Sequence, residues 1–174
     1  MDPALYTLLI IGLLVIVVGL PIFQIWARKK AAGAGANLGK KFADKRLPPV
    51  LAEFAKTLVI HAPEQVAHQI VTEAASKKPK SFFARPDGTF SIKFSSEDDT
   101  IMTLTPTTGG FLLQVVRFRD YLGFPQTVRD WTDLREAITE VAQSRGVAVS
   151  PGPVLRHERQ QQLTANDAAW GIAA

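Results

Sequence analysis

The sequence predicts an α+β protein: an N-terminal transmembrane helix followed by a small two-layer domain, in which an antiparallel meander sheet packs against two amphipathic helices. Three observations predict it. No residue from Ala4 to Ala27 is charged. Apolar residues recur every three or four positions in two later segments, and alternate between them. The connections between the alternating segments are short, which makes neighbouring strands antiparallel.

The anchor comes first. Leu5 to Leu20 is almost wholly Leu, Ile and Val, and a helix of about 22 residues reaches about 33 Å, enough to cross the hydrocarbon core. Tyr6 and Trp26 suit the two headgroup levels, and Pro21 falls late in the segment. A cleaved signal peptide needs positive charge before the apolar run and small residues directly after it. Here Asp2 precedes the run and Arg28, Lys29 and Lys30 follow it. The expectation is a retained helix over residues 1–27 with the N-terminus outside and the C-terminal domain cytoplasmic. Gly12 and Gly19 lie two turns apart on one face, as is ordinary for membrane helices.

Residues 28–49 read as a basic, flexible tether rich in Ala and Gly. Arg28, Lys29, Lys30, Lys40, Lys41, Lys45 and Arg46 supply seven of the chain's 20 Lys and Arg, and from Leu47 onward there are 13 basic against 14 acidic side chains. The net charge of +4 therefore belongs to the membrane-proximal stretch. Its expected partner is the membrane, with anionic lipid as the complementary surface, and no nucleic acid is expected.

The folded domain is expected over residues 50–149. Leu51 and Phe54 lead through a turn or two of helix into a strand at Thr57 to His61. Pro63 opens a helix over 63–76, with Val66, Ile70 and Ala74 on one face and Lys77, Lys78 and Pro79 at its end. Phe82 to Ala84 is a short strand, and Pro86-Asp87-Gly88 a turn. Phe90, Ile92 and Phe94 alternate with polar residues as a half-buried strand. Ile101 to Thr105 follows, with Met102 and Leu104 on one face. Thr107-Thr108-Gly109-Gly110 connects it as a hairpin to a strand from Phe111 to Arg119. A second helix has Asp130 as its cap, Trp131, Leu134, Ile138 and Val141 as its buried stripe, and Gly146 as its terminator.

The segments TLVIHAPEQVAHQIV and WTDLREAITEVAQ, a strand leading into a helix and then a closing helix, resemble the opening and ending of START-like helix-grip domains in a reduced form, across residues 56–146. The resemblance implies a curved sheet gripping a C-terminal helix, with an apolar pocket for a lipid or other small hydrophobic ligand. It carries over an architecture and no catalytic residue.

Chemistry-bearing patterns are sparse. The chain has no cysteine, which excludes disulfides and thiolate metal sites. It lacks the glycine-rich phosphate loop, the dinucleotide fingerprint and the nucleophile elbow. Glu64 and His68 are four apart on a helix, but His61 precedes it and no further ligand is indicated, so surface residues or a helical ion pair are expected. Glu97-Asp98-Asp99 lacks the spacing of a calcium loop and reads as a solvated hairpin tip, or as a partner for the basic tether. No metal and no cofactor is expected.

The strand at 111–119 is the most suggestive segment. By parity Phe111, Leu113, Val115, Arg117 and Arg119 share one face and Leu112, Val116 and Phe118 the other. Two apolar faces imply packing by the domain's own helices, a protein partner or a small ligand groove. Phe111, Leu113, Val115, Arg117, Arg119, Trp131 and Trp170 form the candidate interface or groove. Residues 150–174 read as a disordered polar tail, in which Trp170 either forms a docking peptide or folds back on the domain.

The resulting expectation is a non-catalytic, membrane-tethered accessory or assembly protein whose cytoplasmic domain contacts a membrane protein or complex. The rival is a small helix-grip module that binds or transfers a hydrophobic ligand at the membrane.

Overall fold

The computed structural model describes residues 46–173. The anchor residues Leu5, Leu20 and Trp26, and the tether cations Arg28, Lys29, Lys30, Lys40 and Lys41, lie outside those residues. Among the described residues no helix is long and apolar enough to cross a membrane.

Helix α1 covers residues 46–54, so the ordered domain starts before the tether was expected to end. Pro48 and Pro49 are exposed within its first turn, where a missing N–H breaks no helical bond. Val50 and Phe54 are buried. Helix α2 is Glu64–Ser76, with Pro63 as its N-cap rather than its first residue. Its buried stripe is Ala67, Ile70, Val71, Ala74 and Ala75.

Helix α3 is Val128–Ser144 and starts two residues before Asp130, with Thr127 as N-cap. Thr127 makes no side-chain cap; its hydroxyl is instead 2.6 Å from that of Thr100, buried beneath the sheet. Asp130 sits in the first turn, where a carboxylate complements the helix dipole. The helix ends as expected at Gly146, whose φ of +68° is left-handed. A Cβ there meets nothing within 4 Å, so only backbone strain is at issue. Gly146→Ala is expected to cost about 1 kcal/mol in urea unfolding.

Strands β1 (Leu58–Ile60), β2 (Phe82–Ala84), β3 (Phe90–Ile92), β4 (Thr100–Thr107) and β5 (Gly110–Arg119) correspond to the expected ones. The sheet nevertheless has eight strands, because β6 (Val149–Pro151), β7 (His157–Gln162) and β8 (Ala168–Ile172) join it. The order is β2-β3-β4-β5-β1-β6, with β8 also on β5 and β7 on β8. Every pairing is antiparallel. One edge of β5 is thus divided: Phe111 to Leu113 pair with β1, and Arg117 to Arg119 with β8. Residues 150–174, expected to be a disordered tail, supply most of three strands.

A β-bulge overturns the parity expected for β5. Met102 pairs with Val115, but Ile101 pairs with Arg117, leaving Val116 as the extra residue. An extra residue reverses which face the following side chains occupy. Leu113, Val115 and Phe118 are therefore all buried in the core. Arg117 and Arg119 fall on the opposite face from Phe111, and the strand does not present two equivalent apolar faces.

The core lies between one face of the sheet and the three described helices. Ile60, Ile92, Met102, Leu113 and Phe118 meet Phe54, Ile70, Trp131, Leu134 and Ile138 there, all fully buried or nearly so. Phe54 stacks on Phe118 with ring centroids 4.3 Å apart. Exposed ion pairs Lys77–Glu140 at 3.0 Å, Lys78–Asp133 at 2.5 Å and Arg145–Glu73 lace α2 to α3, each a small contribution in solvent.

Candidate interaction surface

Three loops meet where β5 ends: residues 93–99 between β3 and β4, residues 120–127 before α3, and residues 163–167 between β7 and β8. Two buried carboxylates organise them. Asp99, fully buried, accepts the backbone N–H groups of Phe94, Ser95 and Ser96 at 3.0, 2.6 and 2.7 Å. Its other oxygen accepts the Tyr121 hydroxyl at 2.5 Å. These amides would otherwise continue the β3 ladder, which explains why the strand stops at Ile92 and why Phe94, expected on a buried face, is 57% exposed. Burial, and then the bond to Asp99, push the Tyr121 phenol above its ordinary value.

Asp120 is the second, also fully buried. It accepts the Ala168 N–H at 2.5 Å, the Trp170 indole N–H at 2.9 Å and the Arg159 guanidinium at 3.4 Å. Three donors satisfy a carboxylate that would otherwise be prohibitively costly to bury. Trp170 is only 7% exposed, stacks on Phe118 at 5.8 Å and lies beneath Arg159. It folds back on the domain as a core residue.

Of the acidic run 97–99, Glu97 alone is a solvated tip residue. Asp98 accepts from Arg117 at 3.2 Å and Arg119 at 3.5 Å, so the segment meets cations of β5. The Ser96 hydroxyl, then Arg119 and Arg117, hold the Asp98 carboxyl below the usual range against its partial burial. The two arginines expected at an interface are thus paired on the outward side of the sheet.

Of the remaining expected interface residues, Leu113, Val115 and Trp131 are fully buried and Phe111 is packed half-buried against the core. The Trp131 indole N–H donates to the Glu53 carbonyl at 3.0 Å. The α3 stripe facing the sheet is part of this same core, and grooves of about 360 and 610 Å³ open elsewhere, lined chiefly by polar and charged residues of the helices' outer sides. His61 donates through Nδ1 to the Gly109 carbonyl at 3.1 Å and accepts the Ser150 hydroxyl at 2.8 Å. His68 packs beside Phe90. Among the described residues no group of histidines and carboxylates could hold a metal ion.

His157 was not singled out by its sequence context. Its Nε2–H donates to the Val115 carbonyl at 2.9 Å, in the stretch of β5 edge between β1 and β8. Its Nδ1 is buried without a partner, and burial pushes its pKa below the ordinary value despite the Val115 bond. The unfolded chain binds this proton near pH 6.5 and the folded chain only at lower pH. Stability is therefore full above about pH 6.5 and falls as the solution is acidified from there toward the folded value. Urea midpoints at pH 7.5 and 5.5 are expected to show this loss. His157→Gln, which keeps a donor but does not titrate, is expected to flatten it.

Two sets of apolar side chains remain outside the core. Phe94, Leu122 and Leu163, on the three loops, are 57%, 77% and 37% exposed. Val59, Phe83, Ile101, Leu112 and Val116 are half-buried on the sheet face turned away from the core. No signal in the sequence marks the loop set: Phe94 continues an alternating strand pattern, Leu122 lies between Tyr121 and Phe124, and Leu163 stands alone in a polar run. Comparison with known protein families, curated proteins and solved structures returns no match to this chain.

Proposed function

We propose that this chain is a non-catalytic, membrane-tethered accessory or assembly protein. The N-terminal apolar helix fixes its location, with the basic flank on the cytoplasmic side, and the α+β domain supplies the contact surface for a membrane protein or complex. The observation that carries this reading is the sheet face away from the core. Antiparallel sheets with one solvated face normally alternate apolar with polar residues. Here Val59, Phe83, Ile101, Leu112 and Val116 share that face with Arg117 and Arg119, which are paired with Asp98 at its edge. Half-buried apolar area bordered by charged side chains suits the core and rim of a protein contact.

Ionisable groups support the same reading. Among the described residues Asp99, Asp120 and His157 are the buried ones, and each is engaged in holding strands or loops together rather than converging on a cleft. The α3 stripe that a helix-grip ligand would need to face is occupied by Trp131, Leu134 and Ile138, all within 1% of complete burial. That packing weighs against a cavity of the roughly 300 Å³ that a ligand site needs.

Native mass spectrometry of the full-length protein, extracted from its own membranes in mild detergent, tests the proposal. A second polypeptide in fixed ratio is expected, and is lost when Leu112 and Ile101 are replaced by aspartate. A partner-free chain carrying one lipid-sized mass would overturn it in favour of ligand transfer.

A further inference from the structure

We propose that the loop tip bearing Phe94, Leu122 and Leu163 seats in the headgroup region of the lipid bilayer, so that the domain has a fixed orientation on the membrane. The inference rests on the N-terminal segment being a membrane anchor and adds a second, independent contact with the same bilayer.

Four large apolar side chains are well exposed among the described residues: Phe94, Leu122, Leu163 and Val154. Three of the four belong to this one end of the domain. They lie on separate segments of chain, yet those segments are bonded together. The Phe94 ring is 5.8 Å from that of Tyr121. The Leu122 N–H donates to the Asp167 carboxylate at 3.0 Å, the Gly123 N–H to the Asn166 carbonyl at 2.9 Å, and the Leu163 N–H to the Asp167 carbonyl at 2.9 Å. The exposure is thus a built feature of three cross-linked loops.

Leu122 adds an independent sign. At φ +56° it is the one non-glycine residue with positive φ among the described residues. A leucine gains nothing from that conformation, which asparagine or glycine adopts more readily. It is also 77% exposed. Strain and solvent exposure of a large apolar group coincide at the apex of the tip, as expected where the side chain has a use outside the domain.

The occupant follows from the chemistry around these residues and from the chain outside the domain. The polar groups of the tip are already engaged: Arg117 and Arg119 with Asp98, Asp99 with three amides and Tyr121, Asp167 with Leu122. The exposed charges at its edge, Lys93 and Glu97, lie 4.0 Å apart and offset one another; what the tip chiefly offers is apolar area. A chain of 18 residues, the length from Arg28 to Lys45, spans about 60 Å at most, so a domain tethered to a membrane anchor by it meets lipid at high effective concentration. A weak apolar contact suffices under that tether, where it would not in free solution. Glu97, whose side chain is 73% exposed beside Lys93, limits the depth to the headgroup level.

The chain has no cysteine, so single cysteines accept a nitroxide uniquely. Full-length Leu122→Cys and Val154→Cys, spin-labelled and reconstituted in phosphatidylcholine vesicles, report collisions with oxygen in the lipid phase and with a water-soluble nickel chelate. The ratio of oxygen to nickel collisions at position 122 is expected to exceed that at 154 several-fold. Adding Phe94→Asp and Leu163→Asp should bring it down to the value at 154. Near-UV dichroism verifies that each variant retains its packed core. Equal ratios at 122 and 154 in chains that resist alkaline extraction would overturn tip insertion while leaving the anchor intact. Chains stripped from the vesicles by alkali would show that the anchor itself fails, and the inference with it. Protection of position 122 in native membranes but not in pure lipid would assign the tip to a protein partner and equally overturn it.

Discussion

Replacing Trp170 with alanine is expected to lower the unfolding free energy of the domain by about 4 kcal/mol, the usual cost of deleting a buried large aromatic. The ring is stacked on Phe118 at 5.8 Å, and Phe118 in turn on Phe54 of α1. Trp170 therefore closes an aromatic series that runs from the first helix to the last strand. Its loss opens a cavity on that series and removes the 2.9 Å indole hydrogen bond from the buried Asp120. Trp170→Phe restores most of the apolar contact without the hydrogen bond and is expected to cost about 1–2 kcal/mol. Equilibrium urea denaturation separates the two. A disordered tail would make both substitutions silent, so changes below about 0.5 kcal/mol for Trp170→Ala would show that β8 is not docked on β5.

Asp99→Ala is expected to cost about 3–4 kcal/mol. Hydrogen bonds to a charged acceptor contribute about 1.5–3 kcal/mol each, and Asp99 receives four. Their simple total overstates the loss, because the loop at 93–99 can open and give its amides to water once the carboxylate is gone. Opening should also raise hydrogen exchange at Ser95 and Ser96, which provides a residue-level check. Glu97→Ala, two positions away at 73% side-chain exposure, is the matched control and should change stability by less than about 0.5 kcal/mol. Comparable losses in the two variants would remove the structural role assigned to Asp99.

These two residues also mark where reading the sequence stopped. Trp170 follows the polar run from Arg156 to Asn166 and lies in a segment without a sustained apolar face. Strands β6 to β8 join the sheet through backbone hydrogen bonds, which leave no trace in side-chain pattern when the strand is exposed. His157-Glu158-Arg159-Gln160-Gln161-Gln162 is the extreme case, exposed after its first residue. Asp99 was hidden differently. Three adjacent acids resemble one another in sequence, and only the path of the chain decides that Asp98 meets two arginines while Asp99 turns inward to the amides.

The parity error in β5 has a similar origin. Alternation put Leu113 and Val115 on one face, as they are, but Val116 is an extra residue opposite the β4 ladder. A bulge depends on a partner strand, and a single strand's sequence cannot count residues in its partner. Past Val116, Phe118 turned inward and the two arginines outward. That change moved the candidate surface from the core strand to the outward sheet face and to the loops beyond it.

What the sequence determined by itself is what local periodicity and solvation dictate. Helices α2 and α3 carry their own apolar stripes, β2 to β5 carry β-forming residues with turn residues between them, and the absence of cysteine limits the chemistry. Only the tertiary structure decided the eight-stranded topology, the burial of Asp99, Asp120 and His157, the bulge, and the convergence of Phe94, Leu122 and Leu163 at one end. The strand pairings behind the bulge and the joining of β6 link residues from 13 positions apart, Met102 and Val115, to 93 apart, Leu58 and Pro151, and their free energy comes from the pairing itself and is written in neither partner alone.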